Sequence, residues 1–133
     1  VSANLDLVRS IYAGWEIGNY KPSDWVDPAI ELVIADGPGA GIWSGQPRME
    51  DYWRDFLNVW EDWRVEAESV REVDDERVLA MVAFKARGRA SGVELGEVGA
   101  RGANVFHIRN GKVSRLTLYW DRDHALSDLC LEE

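Results

Sequence analysis

Near the end of the chain, LTLYWDRDHALSDL (residues 116–129) sets three ionisable side chains, Asp121, Asp123 and His124, directly after an apolar, strand-like run. Carboxylates and an imidazole at that density can transfer protons, provided a pocket desolvates one of them and brings its pKa toward neutrality. The same residues have a second reading. An Asp just before Ala125 and Leu126 is also a helix N-cap, accepting from backbone N–H groups that the first turn leaves unpaired. Asp123 and His124 then belong to the exposed first turn. Both readings are open at this level.

Elsewhere the sequence offers little conventional chemistry. GPGAG (37–41) lacks the Gly-Lys-Ser/Thr of a phosphate-binding loop and the spacing of a dinucleotide-binding turn. His107 and His124 are the only histidines, and no Cys/His/Asp grouping has metal-ligand spacing, so no metal and no cofactor are expected. Ser91, Ser114 and Ser127 have no evident base beside them. Cys130, the single cysteine, permits no internal disulfide and reads as an inert buried thiol between two leucines. That usage fits a reducing cytoplasm.

The aromatic content is more telling. Seven tryptophans in 133 residues must fill a core, line a cavity or meet a partner, because indole is costly to leave in water. Trp15, Trp43, Trp53, Trp60 and Trp120, with Tyr12, Phe56, Phe84 and Phe106, are the candidate lining for an apolar ligand. A helix stripe of large apolar residues is ordinarily core, and core and lining look identical in sequence.

The elements that must position these residues follow from periodicity. Leu5, Val8, Tyr12 and Trp15 are at helical spacing within 3–17, with Asn4 or Ser2 as cap and Gly18-Asn19 as the stop. KPSDWVDP has room for a helical turn at 23–26, IELVIA (30–35) reads as a short buried strand, and ADGPGAGIWSG (35–45) as a glycine-rich loop. A second helix begins near Pro47 and carries Met49, Trp53, Phe56, Leu57 and Trp60 on one stripe. Residues 63–73 suit either an extension of that helix or a strand. Long strands follow over 77–90 and about 95–109, then an Asn-Gly hairpin turn in RNGK (109–112), a returning strand (113–120) and a short terminal helix. Alternation puts Asn104, Phe106 and Ile108 on one face, taken as the inner one, with His107 outward. Helices first and strands afterwards predict an α+β fold, one domain over residues 1–133, its helices on one face of a curved sheet.

Composition narrows the function classes. A formal charge of −9, from 24 acidic and 15 basic side chains, repels phosphate backbones, and nucleic acid is not an expected partner. No apolar run approaches membrane-spanning length. The N-terminus VSANLDLVRS shows no secretory pattern, which also points to the cytoplasm; it lacks an initiator Met, which leaves an upstream segment open.

The pieces IYAGWEIGN, GIWSGQPRMEDYW, WEDWRVEAESV and ANVFHIRNGKVSRLTLYWDRDHALSDL resemble the SnoaL-like branch of the NTF2-like superfamily, over nearly the whole chain. That superfamily also holds ketosteroid isomerases, limonene-epoxide hydrolases and polyketide cyclases. The resemblance implies a cone: a strongly bent, mostly antiparallel sheet wrapped around N-terminal helices and open at one end to an apolar pocket. It implies that 64–73 is a strand, that the glycine-rich loop is a lip of the cone, and that the protein is a homodimer through the sheet.

The resemblance also carries roles. Similar cyclases place a catalytic Asp just before the last helix with a Leu eight residues on, the spacing of Asp121 and Leu129. Asn104 falls where ketosteroid isomerases carry an oxyanion-hole Asp; an amide donates to a carbonyl at any pH but cannot shuttle a proton. The isomerase base position falls at or near the apolar Val33, with Asp36 reaching it only through a register shift, and the isomerase tyrosine falls at Ile11 or Tyr12. The Asp-Arg-Asp relay of epoxide hydrolysis finds only Arg101, three residues from Asn104. Steroid isomerisation and epoxide hydrolysis are therefore disfavoured. Three functions are in view: a cofactor-free protein binding a small apolar molecule, an isomerase, cyclase or lyase using Asp121 with Asn104 or Tyr12, and a dimerising subunit without catalysis.

Overall fold

The computed structural model describes residues 3–17, 25–36, 40–88, 94–95 and 101–129. Helix α1 (Ala3–Glu16) forms because Val8, Ile11, Tyr12 and Trp15 share one face and are all buried. Asn4 lies inside this helix rather than capping it, and its amide donates to the Asp75 carbonyl at 2.9 Å. Strand β1 (Val26–Ile34) starts where a helical turn was expected at 23–26, and Ser23 and Asp24 lie outside the described residues. The glycine-rich segment contains a strand, β2 (Gly41–Ser44), hydrogen-bonded antiparallel to β1.

Helix α2 (Gln46–Val59) accommodates Pro47 in its first turn, where no intrahelical N–H is needed. It stops short of Trp60, which opens β3 (Trp60–Glu72), so the stripe expected to end at Trp60 ends at Phe56 among the described side chains. The segment that periodicity left ambiguous, 63–73, is thus strand up to Glu72. A tight turn follows, held by Asp74, whose carboxylate accepts from the Glu76 and Arg77 amides at 2.9 and 2.8 Å. Strands β4 (Arg77–Gly88), β5 (Glu94–Leu95), β6 (Arg101–Arg109) and β7 (Lys112–Tyr119) complete the sheet, and α3 (Arg122–Asp128) ends the described chain.

The sheet runs β2-β1-β7-β6-β4-β3, with β5 paired to β4. All neighbours are antiparallel except β1 and β7, which pair in parallel, Leu32 opposite Leu116 and Ile34 opposite Leu118. The β6–β7 hairpin closes through Asn110 and Gly111, both at positive φ (53° and 75°), the geometry that an Asn-Gly turn supplies.

Two apolar clusters flank the sheet. Helix α1, Met49 of α2 and the inward residues of β1, β4, β6 and β7 form the larger one. On the opposite face Ala125 and Leu126 of α3 pack on Leu79, Ala103, Val105 and Tyr119. The expectation of helices on one face only is therefore corrected. Strand β6 explains why: Ala103 and Val105 are as deeply buried as Asn104 and Phe106, so both faces of the strand need cover.

Candidate functional site

Between α2 and the open end of the sheet lies a cavity walled by Trp15, Tyr52, Trp53, Phe56, Phe84 and Trp120, with Ile34, Val65, Val82 and Leu118 as its aliphatic floor. It offers about 50 Å³ to the centres of water molecules, within about 560 Å³ of atom-free space that includes its open mouth. The first figure is room for a few waters. The second includes open solvent; ligand sites are ordinarily about 300–1,000 Å³, so a bound molecule would have to occupy the mouth as well as the enclosed space. The rings contact one another mostly edge-on or tilted: Trp15 and Trp53 are 5.9 Å apart, Trp53 and Phe56 5.8 Å, Phe84 and Trp120 5.1 Å.

Asn104, which is 7% exposed, brings an amide to this cavity, whose lining also includes the hydroxyl-bearing Tyr52 and Tyr119. Its amide nitrogen donates to the Tyr12 hydroxyl oxygen at 2.6 Å, joining β6 to α1 across 92 positions of sequence. Burial pushes the Tyr12 hydroxyl far above the usual phenol range, the bond from Asn104 offsetting only part of that, so Tyr12 stays protonated. Asn104 and Tyr12, the latter one of the two positions at which the isomerase tyrosine falls, are thus in contact. Tyr12 itself packs edge-on against Trp15 and Phe106, at 4.9 and 5.8 Å.

The expected lining divides. Trp15, Trp53, Phe56, Phe84 and Trp120 line the cavity. Tyr12, Trp43 and Phe106 do not: Phe106 is fully buried core, Tyr12 is turned to Asn104, and Trp43 packs against Tyr52 at 4.6 Å from the edge strand β2. The Trp60 side chain lies outside the described residues, as does Cys130. Tyr52 is a wall residue that the sequence reading missed. Its spacing of three from Met49 and four from Phe56 was a legible signal.

Asp121 is exposed and is the N-cap of α3. Its Oδ1 accepts from the Asp123 N–H at 2.9 Å, and its carbonyl accepts from the Ala125 N–H at 3.3 Å. It is not among the residues lining the cavity, so Asn104 and Asp121 do not share that site. Val33, the position aligned with the isomerase base, faces outward between the buried Leu32 and Ile34.

Asp36 and His124 carry more structure than their sequence contexts suggest. Asp36 Oδ1 accepts the Trp120 backbone N–H at 2.6 Å, while its Oδ2 lies 2.8 Å from His124 Nδ1. His124 Nε2 lies 3.4 Å from Asp128 Oδ2, which also accepts the Tyr119 hydroxyl at 3.0 Å. The bond from Asp36 raises the imidazole pKa, partial burial opposing it. Tyr119 is pushed up to about 12 by burial first and then by Asp128. No local signal marks this cluster, because Asp36 and His124 are 88 positions apart and meet through the parallel β1–β7 pairing.

Arg101 does have a carboxylate partner, Glu68 at 3.6 Å, which is shared with Arg122. The bond from Arg122 leads in holding Glu68 below the usual carboxylate range. This group is exposed and not part of the cavity wall. Among the described residues no cluster of three or more His, Cys, Asp or Glu side chains is placed to hold a metal ion, and no helix is long and apolar enough to cross a membrane.

The model of the SnoaL-like domain matches residues 8–116. The chain belongs to the SnoaL-like family. Its fold is that of NTF2-like proteins: an NTF2-like protein of unknown function from Burkholderia pseudomallei superposes with a TM-score of 0.79 at 16% identity, over 96% of this chain and 97% of that one. TerC, co-crystallised with polyporic acid, gives 0.74 at 19% identity over 96% and 98%. A protein from Catenulispora acidiphila with a ketosteroid isomerase-like fold, in complex with trimethylamine, gives 0.73 at 11% identity over 96% and 94%. No match was found among curated proteins. At these identities the likeness establishes the shared fold of the SnoaL-like chain, and activity has to be argued from its own residues.

Proposed function

We propose that this SnoaL-like protein binds a small, largely apolar molecule carrying a hydrogen-bonding oxygen, held between α2 and the sheet and anchored at Asn104. The observation that carries the reading is the aromatic cavity with one buried amide on its wall. Flat rings supply apolar contact at little conformational cost, and a single placed polar group fixes orientation. A carbonyl is the fitting partner, since the Asn104 amide keeps a second N–H beyond the one given to Tyr12. That TerC was co-crystallised with polyporic acid makes that compound a natural first probe.

An acid–base role for Asp121 has less support than ligand binding, because its carboxylate is exposed, engaged as the α3 cap, and not among the residues lining the cavity. Turnover by a cofactor-free isomerase, cyclase or lyase therefore stands as the alternative, to be tested by product analysis on any ligand found. The screen is thermal unfolding against polyporic acid, polyketides, terpenoid ketones and epoxides. A ligand at a hundred times its Kd raises stability by about 2.7 kcal/mol. The expected result is a rise that Asn104→Leu abolishes. A library without a single shift, or shifts indifferent to Asn104→Leu, would defeat the reading.

A second copy of the chain is the partner that we infer for the outward sheet face. Ile42 is 62% exposed there, in register with the outward-facing Val33 of β1. Light scattering on the purified protein should give a dimer that Ile42→Arg weakens. A monomer at micromolar concentration would refute it.

A further inference from the structure

The wall of the cavity and the His124 cluster are physically joined. Ile34 and Trp120 line the cavity, and Asp36, two residues after Ile34, holds the Trp120 backbone N–H with one carboxylate oxygen. Its other oxygen holds His124, whose second nitrogen faces Asp128. The imidazole thus stands between carboxylates from two different segments, edge-on to the Tyr119 ring at 5.1 Å. A neutral imidazole has one N–H and cannot donate to both. An imidazolium can.

We propose that protonation of His124 locks the cavity wall at Trp120, so that ligand affinity falls as pH rises through the titration of His124. This rests on the cavity being a ligand site. With the proton bound, Asp36 is held between His124 and Trp120, and α3 is tied to the end of β1. Without it, the single N–H sits on Nδ1 or on Nε2, the other nitrogen turns a lone pair on Asp36 or Asp128, and the contact on that side must loosen.

The charged groups around the ring favour the proton. Asp36 comes from the segment after β1, Asp128 from α3, Asp121 from its N-cap, and the neutral Tyr119 from β7, while β6 packs the apolar Ala103 and Val105 against the helix. Arg122 is turned away, to Glu68 and the Gly102 and Val82 carbonyls. The folded-state pKa of His124 therefore lies above the ordinary 6.5. The lock is complete below that ordinary value and is lost as pH climbs through the raised one.

The test is an NMR titration of the unliganded protein from about pH 5 to about pH 9, following the His124 ring and the Trp120 backbone amide. The expected result is a His124 midpoint above 6.5 with the Trp120 amide moving at the same midpoint. In Asp128→Asn the midpoint should fall while Trp120 still follows, and in His124→Gln the Trp120 transition should vanish. A Trp120 amide indifferent to His124, or a midpoint at or below 6.5, would overturn the proposal. Polyporic acid binding is then measured on both sides of the midpoint. A severalfold loss at high pH in the natural protein, absent in His124→Gln, is expected, and equal affinity throughout would overturn it. If nothing binds the cavity at all, the amide titration still reports on the lock, so that failure is distinguishable from failure of the coupling.

Discussion

Tyr12 and Asn104 form a polar contact between α1 and the inner face of β6, and their coupling can be measured. Replacing Tyr12 with Phe removes the acceptor at 2.6 Å and leaves the Asn104 amide, 7% exposed, without that partner. The cost of an unmet buried donor is about 1–3 kcal/mol. Access of water to the cavity would place this variant at the lower end. Asn104→Leu does the converse, leaving the Tyr12 hydroxyl, 3% exposed, unpaired among Trp15 and Phe106 at a similar cost. The double variant removes both polar groups and their demand for partners, so it should be less destabilised than the two singles together, by about 1–3 kcal/mol. Urea unfolding of the four proteins, followed by tryptophan fluorescence, gives the cycle. With a urea slope of about 2 kcal/mol/M, each single variant lowers the midpoint by about 0.5–1.5 M. Additivity within about 0.5 kcal/mol would refute the pairing.

Other outcomes follow from the same geometry. Asp121→Ala should cost about 1 kcal/mol through loss of the α3 cap and leave ligand binding unchanged, as urea unfolding and the thermal screen would read it. Gly102→Ala would place a Cβ 2.4 Å from the Tyr119 carbonyl oxygen, so β6 and β7 must separate; a loss of about 2 kcal/mol or more is expected in the same unfolding assay. Phe106→Ala should lower stability by about 3–5 kcal/mol, since the ring is fully buried. Trp53→Ala, by contrast, should cost less stability and more affinity, because that ring is half-buried and lines the cavity; calorimetric titration beside urea unfolding separates the two.

Much of this architecture is legible in one dimension because it is local. The α1 stripe, the Asn-Gly hairpin and the Asp121 cap each depend on spacings of a few residues, and each is found where those spacings put it. The inward alternation of Asn104, Phe106 and Ile108 likewise holds, being fixed by the pleat. The choice of strand for 64–73 came from family resemblance, because a run such as WRVEAESVREV satisfies helix and strand periods alike until β4 is present to pair with it. Which aromatic is core and which is wall was decided by tertiary structure alone. Trp53 and Phe106 have equal hydrophobicity for this purpose, and only the distance between α2 and the sheet leaves one of them beside empty space.

The contacts with chemical consequence were the least legible. Tyr12 meets Asn104 across 92 positions, and Asp36 meets His124 across 88. Sequence determined which side chains were present and which face of its own element each occupied. Closure of the sheet, with β1 parallel to β7 and α3 folded over the outer face, decided which of them touch, because such pairings depend on a register that no local pattern encodes.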